Sequence, residues 1–170
     1  MISKIDFENI VSVYLFTLRQ HTLLGLLHSG VKKEVYESNI VVWNILLLSL
    51  EFGSIQGLAN LLENKKYFGK KFRTPEFDNM KPKILKWRNE YTSHLNLSVL
   101  RNFEDFRKRN QINGLQVLRL IVAMGRRLDA FNRSYAFGMN VEELFNQAKR
   151  EAYEDLKVWI RCFGIELGQS

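Results

Sequence analysis

Cysteine and proline are nearly missing from this chain. Cys162 is the only cysteine in 170 residues, so an intrachain disulfide is excluded and a reducing compartment is the simpler setting. Pro75 and Pro82 are the only prolines, beside ten glycines, which leaves few breaks and favours long helices. Metal-ligating residues are scarce too. His21 and His28 share a helix face, but they could hold a metal only with ligands from elsewhere. There is no Cys/His cluster for zinc and no Glu-x-x-His of the di-iron bundle type. Phosphate-binding loops, dinucleotide glycine motifs and the Gly-x-Ser-x-Gly elbow are missing as well, so neither metal nor cofactor is expected. Cys162, next to Arg161, reads as a small half-buried residue rather than a nucleophile.

Long apolar runs are also few. Ile40 to Leu50, "IVVWNILLLSL", is the most hydrophobic and falls short of the roughly 20 residues that a bilayer requires. Asp6 and Glu8 stand where a signal peptide would be basic, and Arg19 interrupts the apolar pattern behind them. A soluble, cytoplasmic protein without a membrane partner is expected. Apolar residues make up 46% of the chain, enough to bury a core without staples, and the length predicts one domain spanning residues 1–170.

What the chain does have is concentrated positive charge. The formal net charge is +7, and the whole excess lies between Lys65 and Arg88. That segment holds Lys65, Lys66, Lys70, Lys71, Arg73, Lys81, Lys83, Lys86 and Arg88 against Glu76 and Asp78 alone; elsewhere 16 basic residues balance 16 acidic ones. Tyr67, Phe68 and Phe72 are interleaved with the lysines. Such a segment can neutralise phosphates and stack on unpaired bases, or it can be a surface loop whose rings turn into the core.

The apolar period is helical nearly throughout, and no strand pattern competes. Helices are predicted from Asp6 to His28, Lys32 to Leu62 and Leu115 to Phe137, with a short helix or turn from Ser98 to Lys108 and a last helix reaching Phe163. Residues 63–78 are predicted as the longest loop, and Pro82 as a first-turn residue of the helix behind it. Phe16 and Leu118 are predicted on inward faces. The helix containing Ile40 to Leu50 is apolar on almost all sides, which suits the middle of a bundle or a subunit contact. Asn140 reads as an N-cap. Glu142, Glu143, Glu151, Glu154 and Asp155 lie among Lys149, Arg150 and Lys157, the pattern of a solvated face. The expected fold class is all-α, a bundle of four to five main helices.

The basic segment leads into "KWRNEYTSHL", where five residues separate Arg88 from His94 and Asn89 follows the arginine. An arginine offers a fixed fork of donors to a phosphate. A histidine takes or gives a proton near neutral pH, and an asparagine can orient either one. These are the parts needed to cleave RNA through its own 2′-OH, with a base at the hydroxyl and a cation at the phosphorane. Spacing opposes the pair. Six residues of straight helix leave the two side chains about 120° apart, so the helix must bend or end, or another element must complete the site.

"WRNEYTSHLN" resembles the signature of HEPN domains (the Arg-x4–6-His nucleases), in which a polar residue follows the arginine. The preceding "VVWNILLLSLEFGSIQGLANLLEN" and the loop after it are similar to the branch of that family associated with phage abortive infection. The resemblance covers roughly residues 10–135. It implies a helical bundle that dimerises with two motifs facing one cleft, and a metal-independent endoribonuclease acting as toxin or defence effector. It makes Arg88 and His94 catalytic, with Asn89 supporting them, and it implies RNA, a second copy and an antitoxin or regulatory protein as partners. Lys65, Lys66, Lys70, Lys71, Arg73 and Lys86 are the expected RNA-binding cations. The chain departs from the pattern at Glu90, where the branch often has lysine or another base, at Ser93, where it often has alanine, and at Asn96, where an aspartate commonly follows the histidine. A HEPN-like module that binds RNA or a partner without cleaving is the alternative.

Overall fold

The computed structural model describes residues 2–30, 37, 40–69, 72, 74–92, 112 and 114–162. Among these there are six helices and no strand: α1 (Lys4–Gly30), α2 (Ile40–Glu63), α3 (Lys65–Phe68), α4 (Pro75–Thr92), α5 (Gly114–Tyr135) and α6 (Val141–Cys162). The all-α expectation holds, with five long helices and one of a single turn. The short helix or turn expected from Ser98 to Lys108 lies outside the described residues.

Local chemistry sets the helix ends. The Ser3 hydroxyl accepts the Asp6 N–H at 3.1 Å and Asp6 accepts the Ser3 N–H at 3.4 Å, a reciprocal cap that starts α1 earlier than expected. Asn140 caps α6 by accepting the Glu143 N–H at 3.0 Å, as its sequence position predicts. The reading of Pro82 is corrected: it lies inside α4, and Pro75 takes the first helical position. Thr74 explains the earlier start, because its hydroxyl accepts the Phe77 N–H at 3.0 Å. A capping threonine followed directly by proline is the stronger initiation signal, and Pro82 then leaves the Asp78 carbonyl without its usual N–H partner. The predicted loop of residues 63–78 also contains α3, which closes at Gly69. A Cβ there would lie 2.3 Å from the Lys65 carbonyl oxygen, so only glycine fits.

The chain divides into two compact units, Met1–Tyr14 with Ile55–Met139 and Leu15–Ser54 with Asn140–Ser170; α1 and α2 contribute to both. In the first unit, Phe77, Met80, Ile84 and Trp87 form the buried stripe of α4, which packs on α5. The α2 end adds Leu58, Leu61 and Leu62, all fully buried and each worth about 1.5–3 kcal/mol. Aromatic rings fill the remainder. Phe7 stacks on Phe137 with centroids 4.8 Å apart, and Tyr67 meets Phe131 edge-on at 5.2 Å. Phe68, Phe72 and Phe77 follow one another edge-on at 5.2 and 5.3 Å.

α5 ends in a left-handed turn. Ala136 has φ +51°, and the Phe137 N–H returns to the Asn132 carbonyl at 3.2 Å. The Asn132 side chain holds the chain beyond by donating to the Met139 carbonyl at 2.6 Å and accepting the Met139 N–H at 3.1 Å. Glycine is the usual occupant of this position, because a left-handed φ costs other residues about 1–2 kcal/mol. Ala136→Gly is therefore expected to stabilise the protein by about 0.5–1 kcal/mol after the glycine's own entropy cost. Urea unfolding measures it, and an unchanged or lower midpoint would contradict the strain.

The second unit is built on Leu23, Leu27, Trp43, Leu50, Ala152 and Leu156. Arg19 tethers α1 to α6: it donates to both oxygens of Asp155 at 2.6 and 2.7 Å and to Glu151 at 2.8 Å. Two acids assigned to a solvated face thus anchor an arginine whose partners lie more than 130 residues away in sequence. Other inward assignments are corrected too. Phe16 and Leu118 are exposed, as are Ile40, Val41, Val42 and Ile45 at the start of α2. Cys162 is exposed because it falls off the buried stripe of α6. By length and composition both Lys4–Ser29 and Ile40–Glu63 could cross a bilayer, since the apolar run belongs to a 24-residue helix; buried core helices pass the same test.

Candidate functional site

The last turn of α2 brings a carboxylate to the wrong end of a helix. Glu63 sits among carbonyls that carry partial negative charge, so it needs a cation. Two α4 side chains answer it. Lys81 and Arg88 are seven apart and therefore lie on one face. The Lys81 ammonium donates to the Leu62 carbonyl at 3.3 Å. Arg88 grips Glu63 with two parallel bonds, Nη2 to Oε1 at 2.9 Å and Nη1 to Oε2. Asn89 completes the shell, its Oδ1 accepting from Nε at 3.1 Å and from Nη2 at 3.0 Å. Each guanidinium nitrogen thus has an acceptor.

The electrostatics follow from this geometry. The hydrogen bonds from Arg88 hold the Glu63 carboxyl below its ordinary value, against some desolvation and with help from the Arg88 and Lys81 charges. The Arg88 guanidinium is raised in turn, chiefly by the Glu63 hydrogen bonds. The Arg88 side chain is only 20% exposed, held against the flank of α4's buried stripe, while Glu63 is 48% exposed. A planar, two-oxygen anion occupies a fork fixed on a helix; a phosphodiester presents the same pair of oxygens.

The other expected site residues are placed as follows. Lys65 and Lys66 are exposed on α3, and Lys66 pairs with Asp6 at 2.7 Å. Lys86 lies 3.8 Å from Glu90 on the solvent side of α4. Lys70, Lys71, Arg73 and His94 lie outside the described residues, and α4 is described to Thr92. The aromatics are not stacking platforms: Tyr67, Phe68 and Phe72 are 2%, 1% and 6% exposed, so they serve the core. Among the described residues no three His, Cys, Asp or Glu side chains gather as a metal site.

Glu63 was missed in the sequence reading, although a glutamate closing a helix just before two lysines was the available signal. A cavity of about 330 Å³ was also missed. Asp6, Asn9, Asn60, Asn64, Lys66 and Tyr67 line it. No contiguous motif marks it, because its walls come from α1, the end of α2 and α3. No family model, no curated protein and no solved structure matches the chain.

Proposed function

We propose that the protein is a metal-independent endoribonuclease of HEPN type, acting in the cytoplasm as a homodimer and serving as a toxin or phage-defence effector. The observation that carries this reading is the two-pronged Arg88 fork, oriented by Asn89 and already holding an anion. The resemblance of "WRNEYTSHLN" supplies the rest, including a possible antitoxin or regulatory partner. In this reading His94 accepts the proton of a 2′-OH, and the 2′-oxygen forms a bond to the adjacent phosphorus. The P–O5′ bond breaks, the 5′-oxygen takes up a proton, and a 2′,3′-cyclic phosphate remains. Arg88 stabilises the extra negative charge on the phosphorane. Base and cation suffice for this chemistry, so no metal is called on.

Fluorescent single-stranded RNA incubated with wild type and with His94→Ala, with and without EDTA, tests the reading. Cleavage should survive EDTA, leave cyclic-phosphate or 3′-phosphate ends, and disappear in His94→Ala while the far-UV spectrum stays unchanged. Wild-type cleavage by His94→Ala would sink it. The Glu63–Arg88 pair favours a second reading, a HEPN-like module that binds RNA or a protein without cutting. Salt-dependent RNA binding with no product in either protein would establish that alternative.

A further inference from the structure

Glu63 occupies the fork that the RNA reading needs, so its carboxylate must go elsewhere when a phosphate arrives. Left unpaired beside the phosphate, it would repel it. A second cation lies within its reach. Lys81 is seven residues before Arg88 on the same face of α4, and its ammonium donates to the Leu62 carbonyl at 3.3 Å. That oxygen and the Glu63 Cα share one planar peptide unit, so the ammonium lies within about 6 Å of the Glu63 Cα. A glutamate side chain covers this span by rotating between staggered positions. The Glu63 side chain is half exposed, which leaves it room to turn. The ammonium carries three donors, of which the Leu62 carbonyl takes one. The Phe77 ring, with its centroid 5.0 Å from the ammonium, keeps Lys81 at this end of α2. The Glu63 carboxyl is held down chiefly by the Arg88 hydrogen bonds, and the Lys81 charge already adds to that.

We infer that Lys81 is a positioning residue of the anion site, receiving the Glu63 carboxylate when a phosphate of single-stranded RNA takes the Arg88 fork. Before the exchange Arg88 pairs with Glu63 while Lys81 caps the end of α2. After it Arg88 grips two phosphate oxygens, and Lys81 neutralises the displaced carboxylate. The charges favour this arrangement. Arg88 and Glu63 cancel, so without Lys81 the phosphate would bring an uncompensated negative charge to the negative end of a helix. With Lys81 the three side chains sum to one positive charge, which a phosphodiester balances. Lys86, the other α4 cation expected to meet RNA, lies beside Glu90 on the solvent side and does not serve Glu63. Lys81 therefore acts through Glu63 rather than by touching RNA. The inference deepens the RNA reading and rests on it for the incoming phosphate; the second partner of Glu63 does not depend on RNA.

Lys81→Met tests it, since the thioether keeps a long side chain against Phe77 and loses the ammonium. Titration of the Glu63 side-chain carboxyl by NMR needs no RNA. In Arg88→Ala the carboxyl should turn to Lys81 and still titrate below its ordinary value. In Arg88→Ala with Lys81→Met it should titrate higher, and Lys81→Arg in place of Lys81→Met should bring it down again. Identical titration with and without the Lys81 charge would overturn the inference. Anisotropy of labelled single-stranded RNA at one salt concentration then reads the effect on binding. Lys81→Met should weaken binding about two- to fivefold, the range that an exposed ion pair supplies. That loss should largely vanish in the Glu63→Gln background, where no carboxylate needs a second partner. An equal loss in both backgrounds would place Lys81 on the phosphate itself and overturn the positioning role while leaving the RNA reading standing. Differing titrations with no RNA binding by any variant would uphold the second partner of Glu63 and overturn the RNA reading.

Discussion

Arg88→Ala is expected to lower RNA cleavage by about 10²–10³-fold, the usual loss when one donor to a developing oxyanion is removed. Its structural cost is small by comparison. The Arg88–Glu63 pair is half open to water on the Glu63 side, and exposed pairs contribute about 1 kcal/mol or less. A large loss of activity with a nearly unchanged unfolding midpoint would therefore assign the fork to phosphate rather than to holding α2 against α4. Arg88→Lys should rescue little, because a point charge cannot replace two parallel bonds. Glu63→Gln should act in the opposite direction. It keeps the shape of the side chain but removes the charge that competes with a phosphate, so RNA affinity should rise several-fold. The Glu63 carboxyl lies below its ordinary value, so its stabilising pairing is fully present above about pH 4.5 and is lost as pH falls through the lowered value. Wild type and Glu63→Gln should consequently differ at neutral pH and converge only in acid. Unchanged cleavage by Arg88→Ala would end the assignment, and weaker RNA binding by Glu63→Gln would show that the glutamate aids the ligand rather than competing with it.

The parts of this protein that were legible in the sequence are those set by neighbouring residues. Apolar spacing gave the long helices, and Asn140 marked the start of α6 because a cap acts within one turn. The same logic failed at Pro82, where two prolines seven apart competed for one helix start and Thr74 decided between them. Composition could state that Lys65 to Arg88 is basic but not what each charge touches. Arg19 with Asp155, and Arg88 with Glu63, are separated by 136 and 25 residues, distances over which no local pattern carries information. The aromatics of "KKYFGKKFR" were ambiguous for a related reason. A ring beside a lysine looks alike whether it faces a base or the core, and packing against Phe7, Phe131 and Phe77 decides it. The cavity is the extreme case, three asparagines from two helices and the turn between α2 and α3, none conspicuous alone.

Gly125→Ala is expected to destabilise the protein although alanine is the better helix former. A Cβ at this position in α5 would lie 2.3 Å from the Tyr14 hydroxyl oxygen and 3.0 Å from the ring carbon that bears it. Tyr14 is fully buried in α1, so its ring has no free direction in which to retreat. Overpacking of this kind costs about 1–3 kcal/mol, against a helix-propensity gain of about 1 kcal/mol. Gly25→Ala is the matched control. Gly25 also lies inside a helix, with nothing within 4 Å of an added Cβ, so the same substitution there should stabilise. The clash predicts a specific coupling as well. Tyr14→Phe removes the nearer atom, so Gly125→Ala should cost less in that background than in wild type, a non-additivity that a double-mutant cycle measures. Independent, additive costs would show that α1 and α5 yield elsewhere.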